Sequence, residues 1–187
     1  MLSNDDEQPP PVIRLRERVV YENGFITVYD DDVAVAGAPR RHLRVVESKG
    51  RAGAAVLALS RGRVALVRTY RYATESWEYG IPRGFAHGHD AAATACTELT
   101  EELGRRPDQL TPMGSLTPNS GLLSSVVFLY LARYDVAVDT PQDSEEVVEV
   151  LWIPVRELLD SVASGDVTDG FTLAAIGVAT ARGLLAR

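Results

Sequence analysis

The chain has 187 residues, 45% of them hydrophobic, which is enough for one globular domain with a sizeable core and a small extension. Its net charge of -7 argues against a partner that presents nucleic-acid phosphates, and no apolar run approaches the roughly 18 residues of a membrane span. The single cysteine, Cys96, excludes an intramolecular disulfide. We therefore expect a cytoplasmic protein with neither a nucleic-acid nor a membrane partner.

The N-terminal part of the chain predicts a tail followed by a small β-sheet. Residues 1–11 are acidic and rich in proline, which is typical of a disordered segment. Residues 12–50 predict an antiparallel β extension. Within it, Asn23-Gly24 separates two alternating apolar runs, which is the strongest short-range signal of a β-hairpin. A third strand is expected to begin at His42.

The next segment predicts the centre of the main sheet. Residues 54–59 and 64–70 are nearly all apolar and are separated by a short turn, so we expect two strands that are covered on both faces. The stretch 75–90, rich in glycine and proline, predicts a loop with one short strand at 80–81.

A well-delimited helix is predicted at residues 91–103. Asp90 is a favourable N-cap, and Gly104 is a natural residue to end the helix. The rest of the chain predicts three strands and two helices. These are residues 113–116, 125–132 and 146–152, and residues 154–162 and 172–185, respectively.

The helix predicted at residues 91–103 carries three glutamates on one half of its circumference: Glu98, Glu101 and Glu102. With Leu99 at the centre of the buried face, Glu102 lies roughly 60° and Glu98 roughly 100° from it on the same side. Carboxylates beside a glycine-rich loop suit a hard divalent cation such as Mg²⁺ or Mn²⁺, whose charge offsets their repulsion. A solvated helix face is the alternative interpretation.

The stretch TELTEELG, from Thr97 to Gly104, resembles the second half of the Nudix signature, Arg-Glu-apolar-any-Glu-Glu-any-Gly. The first half of the signature is altered. The loop PRGFAHGHD is one residue short, His89 stands at the position of the signature glutamate, and Thr97 stands at that of the signature arginine.

The resemblance extends over most of the chain. Outside the signature, the sequence is similar to the ADP-ribose pyrophosphatase branch of the family. VVYENGFITVYDDDV, VALVRTYRYATESWEYGIPRG and LTPNSGLLSSVVFLYLA match that branch in the right order. The implied fold is α/β, a Nudix α/β/α sandwich with a mixed sheet at residues 51–187 and an N-terminal antiparallel β extension. Relatives dimerise through this extension, so a homodimer is expected.

The resemblance implies hydrolysis of a small nucleotide substrate, with ADP-ribose or an ADP-sugar favoured and Mg²⁺ or Mn²⁺ as the cofactor. The implied catalytic residues are Glu102, Glu98 and Glu146. We expect Glu102 to be the best anchored, because it is nearest the apolar face. Glu146 is expected to position or deprotonate water, although an ordinary exposed turn is the alternative there. The implied metal site comprises Glu98, Glu101, Glu102 and Gly84.

Four residues are predicted to bind the substrate: Arg71, Arg68, Arg83 and Trp77. Arg71 can clamp a phosphate or form an ion pair with a carboxylate such as Glu78. Trp77 can stack on adenine or serve in packing. Arg83 can supply some of the positive charge that the altered signature lacks.

The altered signature leaves a second function open. Thr97 cannot bridge and orient acids as the signature arginine does, so the metal ligands are less preorganised. His89 can replace the lost glutamate as a neutral partner or ligate a softer metal such as Mn²⁺ or Zn²⁺, and an exposed loop histidine is the alternative. The alternative is a catalytically impaired Nudix domain that acts as a nucleotide-binding or ligand-sensing module, and an interaction scaffold that binds no metal is a third possibility.

Overall fold

The structure, a computed structural model, describes residues 10–85, 90–136 and 147–185. The chain divides into two compact units. The first comprises the chain up to Gly50 and residues 119–124, and the second comprises residues 51–118 and the chain from residue 125 onward. Residues 1–9 of the predicted tail lie outside the described residues. Among the described helices, none combines the length and the hydropathy that a membrane crossing requires.

The first unit is a four-stranded antiparallel sheet. Its strands are β1 (Val12–Arg16), β2 (Val19–Glu22), β3 (Ile26–Val35) and β4 (Ala38–Glu47). Strands β1 and β2 share one edge of β3, and β4 pairs along the other edge.

The predicted hairpin at Asn23-Gly24 is confirmed. Its turn is held by the Asn23 side chain, whose Oδ1 accepts hydrogen bonds from the backbone N–H groups of Phe25 and Ile26, both at 2.8 Å. Strand β4 begins before the predicted His42, because the chain reverses at Ala36-Gly37, where both residues have positive φ.

The second unit is built on a seven-stranded mixed sheet. Strand β5 runs parallel to β10, and the other pairs are antiparallel, with β11-β6-β5-β10-β9 as the main order. Strand β7 pairs with β6, and β8 pairs with β5. The strands are β5 (Gly53–Ser60), β6 (Arg63–Arg71), β7 (Ser76–Gly80), β8 (Arg83–Gly84), β9 (Gln109–Leu116), β10 (Val127–Tyr134) and β11 (Val147–Pro154).

Helices cover both faces of this sheet, as the α/β/α expectation requires. Alternate residues of β5 enter two separate cores, because successive side chains point to opposite faces. One core contains Leu57 with residues of α2 (Val155–Ser164) and α3 (Gly170–Ala181). The other contains Val56 with residues of α1 (Ala91–Leu103).

A short strand at 80–81 was predicted within a loop. The loop prediction was wrong for residues 76–79, which form β7 together with Gly80. Strands β5 and β6 pair with each other only beside their turn, at Leu59↔Val64 and Ser60↔Arg63. The freed edge of β6 is instead paired with β7, and that of β5 with β8. A strand is therefore favoured here by the open edge of a neighbour and not by local sequence.

Candidate active site

Helix α1 is delimited by its two caps, as predicted. The Asp90 side chain accepts hydrogen bonds from the N–H groups of Ala92, at 2.9 Å, and Ala93, at 3.3 Å. At the other end, Gly104 adopts φ 75° and its N–H bonds to the Thr100 carbonyl. Because Leu99 is fully buried between these caps, the glutamates on the same helix have defined positions.

The three glutamates differ in burial. Glu98 is buried at 8% exposure, Glu102 is half-buried and Glu101 is exposed. Glu98 and Glu102 are one helical turn apart and therefore share a face. The angular estimate ranked Glu102 as the best anchored, but the structure buries Glu98 more deeply, because β8 crosses directly against its carboxylate.

The contact between Gly84 of β8 and Glu98 leaves no room for a side chain at position 84 unless the Glu98 carboxylate moves. A Cβ built on Gly84 would lie 1.9 Å from Oε1 and 2.4 Å from Oε2 of Glu98. Ordinary carbon contacts begin at about 3.5 Å. Pairing of Gly84 with Ala54 of β5 holds this backbone in place. The sequence indicated only that glycines here permit close approach, and the structure identifies the partner as a carboxylate.

The donor set at this point fits a hard divalent cation. The Glu98 and Glu102 carboxylates and the Gly84 carbonyl are all oxygen donors of the type that Mg²⁺ and Mn²⁺ prefer. Within residues 10–85, 90–136 and 147–185, no three His, Cys, Asp or Glu side chains converge as a metal site. If a cation binds here, these oxygens would form only part of its coordination shell. His89 and Glu146 lie outside the described residues.

A second group of charges lies at the end of β6 and on β8. Arg71 donates from Nε to Glu78 Oε2 at 3.1 Å, and Arg83 Nη2 lies 3.8 Å from the same oxygen. Arg83 also donates from Nη1 to Asp169. Burial lowers the pKa of the Arg83 guanidinium, and the Asp169 carboxylate opposes that shift. The structure thus brings the predicted Arg71 and Arg83 together through Glu78.

Asp169 is a residue that the sequence analysis did not select. It is the N-cap of α3, and its Oδ2 accepts from the N–H of Thr172 at 2.9 Å and from its hydroxyl at 2.6 Å. The Asp-Gly pair ahead of an apolar stretch is the signal of a cap. Nothing local indicates its pairing with Arg83, which is 86 positions away in the chain.

The predicted Arg68 and Trp77 form another cluster. The Arg68 guanidinium lies 4.6 Å from the centroid of the Trp77 ring, and Trp77 packs edge-on against Tyr70 at 5.4 Å. Nearby, the Tyr79 hydroxyl donates to Glu149 at 2.8 Å, and this bond raises the pKa of Tyr79.

Arg68 and Arg71 leave β6 on opposite faces, because they are three residues apart on a regular strand. Ala65 and Val67, on the Arg71 side, belong to the core that contains α1. Arg71 therefore shares the face of α1. Arg68 and its neighbour Trp77 belong to the opposite face.

Comparisons with known proteins agree with this fold. The NUDIX domain family matches residues 49–169. A CMP-5'-(N-acetyl-N-hydroxy-3-aminopropyl)phosphonate hydrolase of Streptomyces rubellomurinus is 31% identical over 171 residues, which cover 89% of this chain and 82% of that protein. An ADP-ribose pyrophosphatase of Bacillus subtilis is 27% identical, with 84% of this chain and 86% of that protein covered.

A GDP-mannose pyrophosphatase of Cronobacter sakazakii is 28% identical, and the match covers 91% of this chain and 96% of that protein. A solved structure of an ADP compounds hydrolase superposes with a TM-score of 0.77 at 20% identity, covering 94% of this chain and 95% of that one. At that identity the structural likeness shows the fold alone. The family match and the relatives together show that the chain belongs to the Nudix hydrolase family.

Proposed function

We propose that this protein hydrolyses the pyrophosphate of a nucleoside diphosphate linked to another group, in the presence of Mg²⁺ or Mn²⁺. ADP-ribose and ADP-sugars are the favoured substrates. The observation that carries the proposal is the buried Glu98 carboxylate, which rests on the Gly84 backbone one helical turn from Glu102. Relatives named for ADP-ribose and GDP-mannose hydrolysis support the substrate class.

The proposed metal ligands are Glu98, Glu102 and the Gly84 carbonyl, with the exposed Glu101 in an assisting role. When bound, a divalent cation neutralises phosphate charge and lowers the pKa of coordinated water. Packing against Gly84 restricts the Glu98 side chain before any ligand arrives, so little rotamer entropy remains to be lost on binding. We propose that Glu146 positions the attacking water.

Arg71 is the proposed phosphate clamp on the same face of the sheet. Its Nε is engaged by Glu78 at 3.1 Å, which orients the guanidinium plane. We propose that its two Nη groups are the parallel donors to a phosphate. Arginine suits this role because its fork matches two phosphate oxygens at once.

Arg68 and Trp77 are proposed as a separate platform for a planar substrate group. Trp77 is 49% exposed, and the Arg68 guanidinium limits its motion by stacking on one side. An aromatic face of this kind can stack on a nucleobase. Because these residues lie on the face opposite to α1, their contribution is separable from that of Arg71 by mutation.

We also propose that the N-terminal sheet, residues 12–50, mediates a homodimer in the cytoplasm. Strand β1 exposes 58% of Ile13 and 61% of Leu15, which is costly for apolar side chains unless a partner covers them. The single cysteine fits a reducing compartment.

The function is tested by measuring AMP release from ADP-ribose and from ADP-glucose. GMP release from GDP-mannose serves as a comparison. We expect turnover that needs Mg²⁺ or Mn²⁺, disappears on chelation with EDTA and returns when the cation is restored. Glu98→Gln and Glu102→Gln should each abolish most of it. Tight ADP-ribose binding without turnover in the wild-type protein would instead establish the ligand-sensing alternative.

A further inference from the structure

Arg83 joins three parts of the second unit. Its guanidinium pairs with Asp169 at the start of α3, lies 4.4 Å from the centroid of the Phe171 ring and reaches Glu78 of β7 at 3.8 Å. The Arg83 side chain is 19% exposed and that of Asp169 is 3% exposed. Loss of either partner of a pair this deeply placed leaves the other charge without compensation, which costs more than at the surface.

The charge of Arg83 is already compensated within this group. Asp169 and Glu78 provide two carboxylates, and the second is shared with Arg71. That Arg83 supplies some of the positive charge missing from the altered signature stays a prediction beside these observed pairings. Its position between two strands and a helix indicates a different contribution.

Asp169 reaches Arg83 because position 80 carries no side chain. A Cβ on Gly80 would lie 3.0 Å from Asp169 Oδ2. In addition, the Ile81 N–H donates to the Thr172 hydroxyl at 2.9 Å, and that hydroxyl donates to Asp169. The chain just before β8 is thus attached to the N-terminus of α3 by backbone, side-chain and ionic contacts.

Arg83 immediately precedes Gly84, the residue on which the Glu98 carboxylate rests. We propose that Arg83 and Asp169 are a positioning pair, which holds Gly84 against Glu98 and thereby orients a ligand of the proposed metal site. In this chain the pair takes over the orienting role that a threonine at position 97 cannot perform. The inference rests on the proposed function, because it requires Glu98 to bind the cation.

Asp169→Asn is the main test, because asparagine still caps α3 and accepts from Thr172 but no longer carries the counter-charge of Arg83. Mn²⁺ binding is measured by calorimetric titration of the substrate-free protein well below its melting temperature. We expect about tenfold weaker Mn²⁺ binding, the scale on which supporting contacts of metal ligands act. The Mg²⁺ concentration for half-maximal AMP release should rise in parallel.

Two further variants separate positioning from general stability. Arg83→Met should weaken Mn²⁺ binding to the same extent, and the double variant should be no worse than either single one, because both remove one interaction. Arg83→Lys should recover part of the affinity. Arg105→Met, which breaks an exposed pair with Asp108 at 2.9 Å, is the matched control and should leave Mn²⁺ binding unchanged.

Unchanged Mn²⁺ affinity in folded Asp169→Asn would overturn the inference, even if the melting temperature falls. If Asp169→Asn does not fold, Gly80→Ala crowds the same carboxylate at 3.0 Å and should weaken Mn²⁺ binding in the same direction. An unaltered Mn²⁺ affinity of Gly80→Ala would overturn the inference equally.

Glu98→Gln distinguishes failure of the proposed metal site from failure of the positioning pair alone. If it leaves Mn²⁺ binding intact, the proposed metal site itself fails; if it weakens binding while Asp169→Asn does not, only the positioning pair fails.

Discussion

Replacing Gly84 with alanine perturbs the proposed metal site without removing any polar group. The added Cβ would lie 1.9 Å from Glu98 Oε1, whereas an ordinary contact needs about 3.5 Å, so the carboxylate must move by about 1.6 Å. Metal sites tolerate deviations of only about 0.2 Å in ligand distances. Gly84 does not have a positive φ, so the alanine backbone is unstrained and the effect is steric.

The assay is Mn²⁺ titration of the substrate-free protein together with AMP release from ADP-ribose. We expect Gly84→Ala to weaken Mn²⁺ binding by at least about tenfold and to lose activity as Glu98→Gln does. Gly177→Ala is the matched control. Its Cβ meets nothing within 4 Å in the middle of α3, so binding should be unchanged, and helix propensity should raise stability by up to about 1 kcal/mol.

Wild-type Mn²⁺ affinity in Gly84→Ala would refute the steric reasoning if Glu98→Gln is impaired. The strand would then have moved away at little cost, contrary to the pairing of Gly84 with Ala54 and the attachment of Arg83 to Asp169. Wild-type affinity in both variants would remove Glu98 from the site.

Three other predictions concern different parts of the molecule. Asp90→Ala should lower the free energy of unfolding by about 1 kcal/mol in urea denaturation, because two N–H groups of α1 lose their acceptor, whereas Asp90→Ser should be nearly neutral. The chain has two tryptophans, so Trp152→Phe leaves Trp77 as the only indole. ADP-ribose should quench the fluorescence of Trp77 in this variant. An unaltered emission spectrum at saturating ADP-ribose would exclude Trp77 from the substrate site. Ile13→Glu should convert a dimer to a monomer in light scattering after size exclusion, and an unchanged mass would place the subunit contact elsewhere than on β1.

The parts of the fold that could be read in advance are those with local physical causes. The bounds of α1 follow from Asp90 and Gly104, since a cap acts on backbone groups within one turn. Both central strands were recognisable because a sheet covered on two faces requires continuous apolar runs. Strand β7 was not recognisable, because it forms on an edge that β5 and β6 leave open when they diverge.

For the candidate site, the sequence by itself indicated the residues that we propose as functional: clustered carboxylates on one helix after a glycine loop, with arginines upstream. Only the tertiary structure decided how deeply each of these residues is buried and which neighbours hold it. It placed Glu98 deeper than Glu102, directed Arg71 and Arg68 to opposite faces, and joined Arg83 to Asp169, which no motif had indicated. The physical reason is range, since periodicity and caps act over a few residues, whereas burial and ion pairing depend on segments that meet only after the sheet has formed.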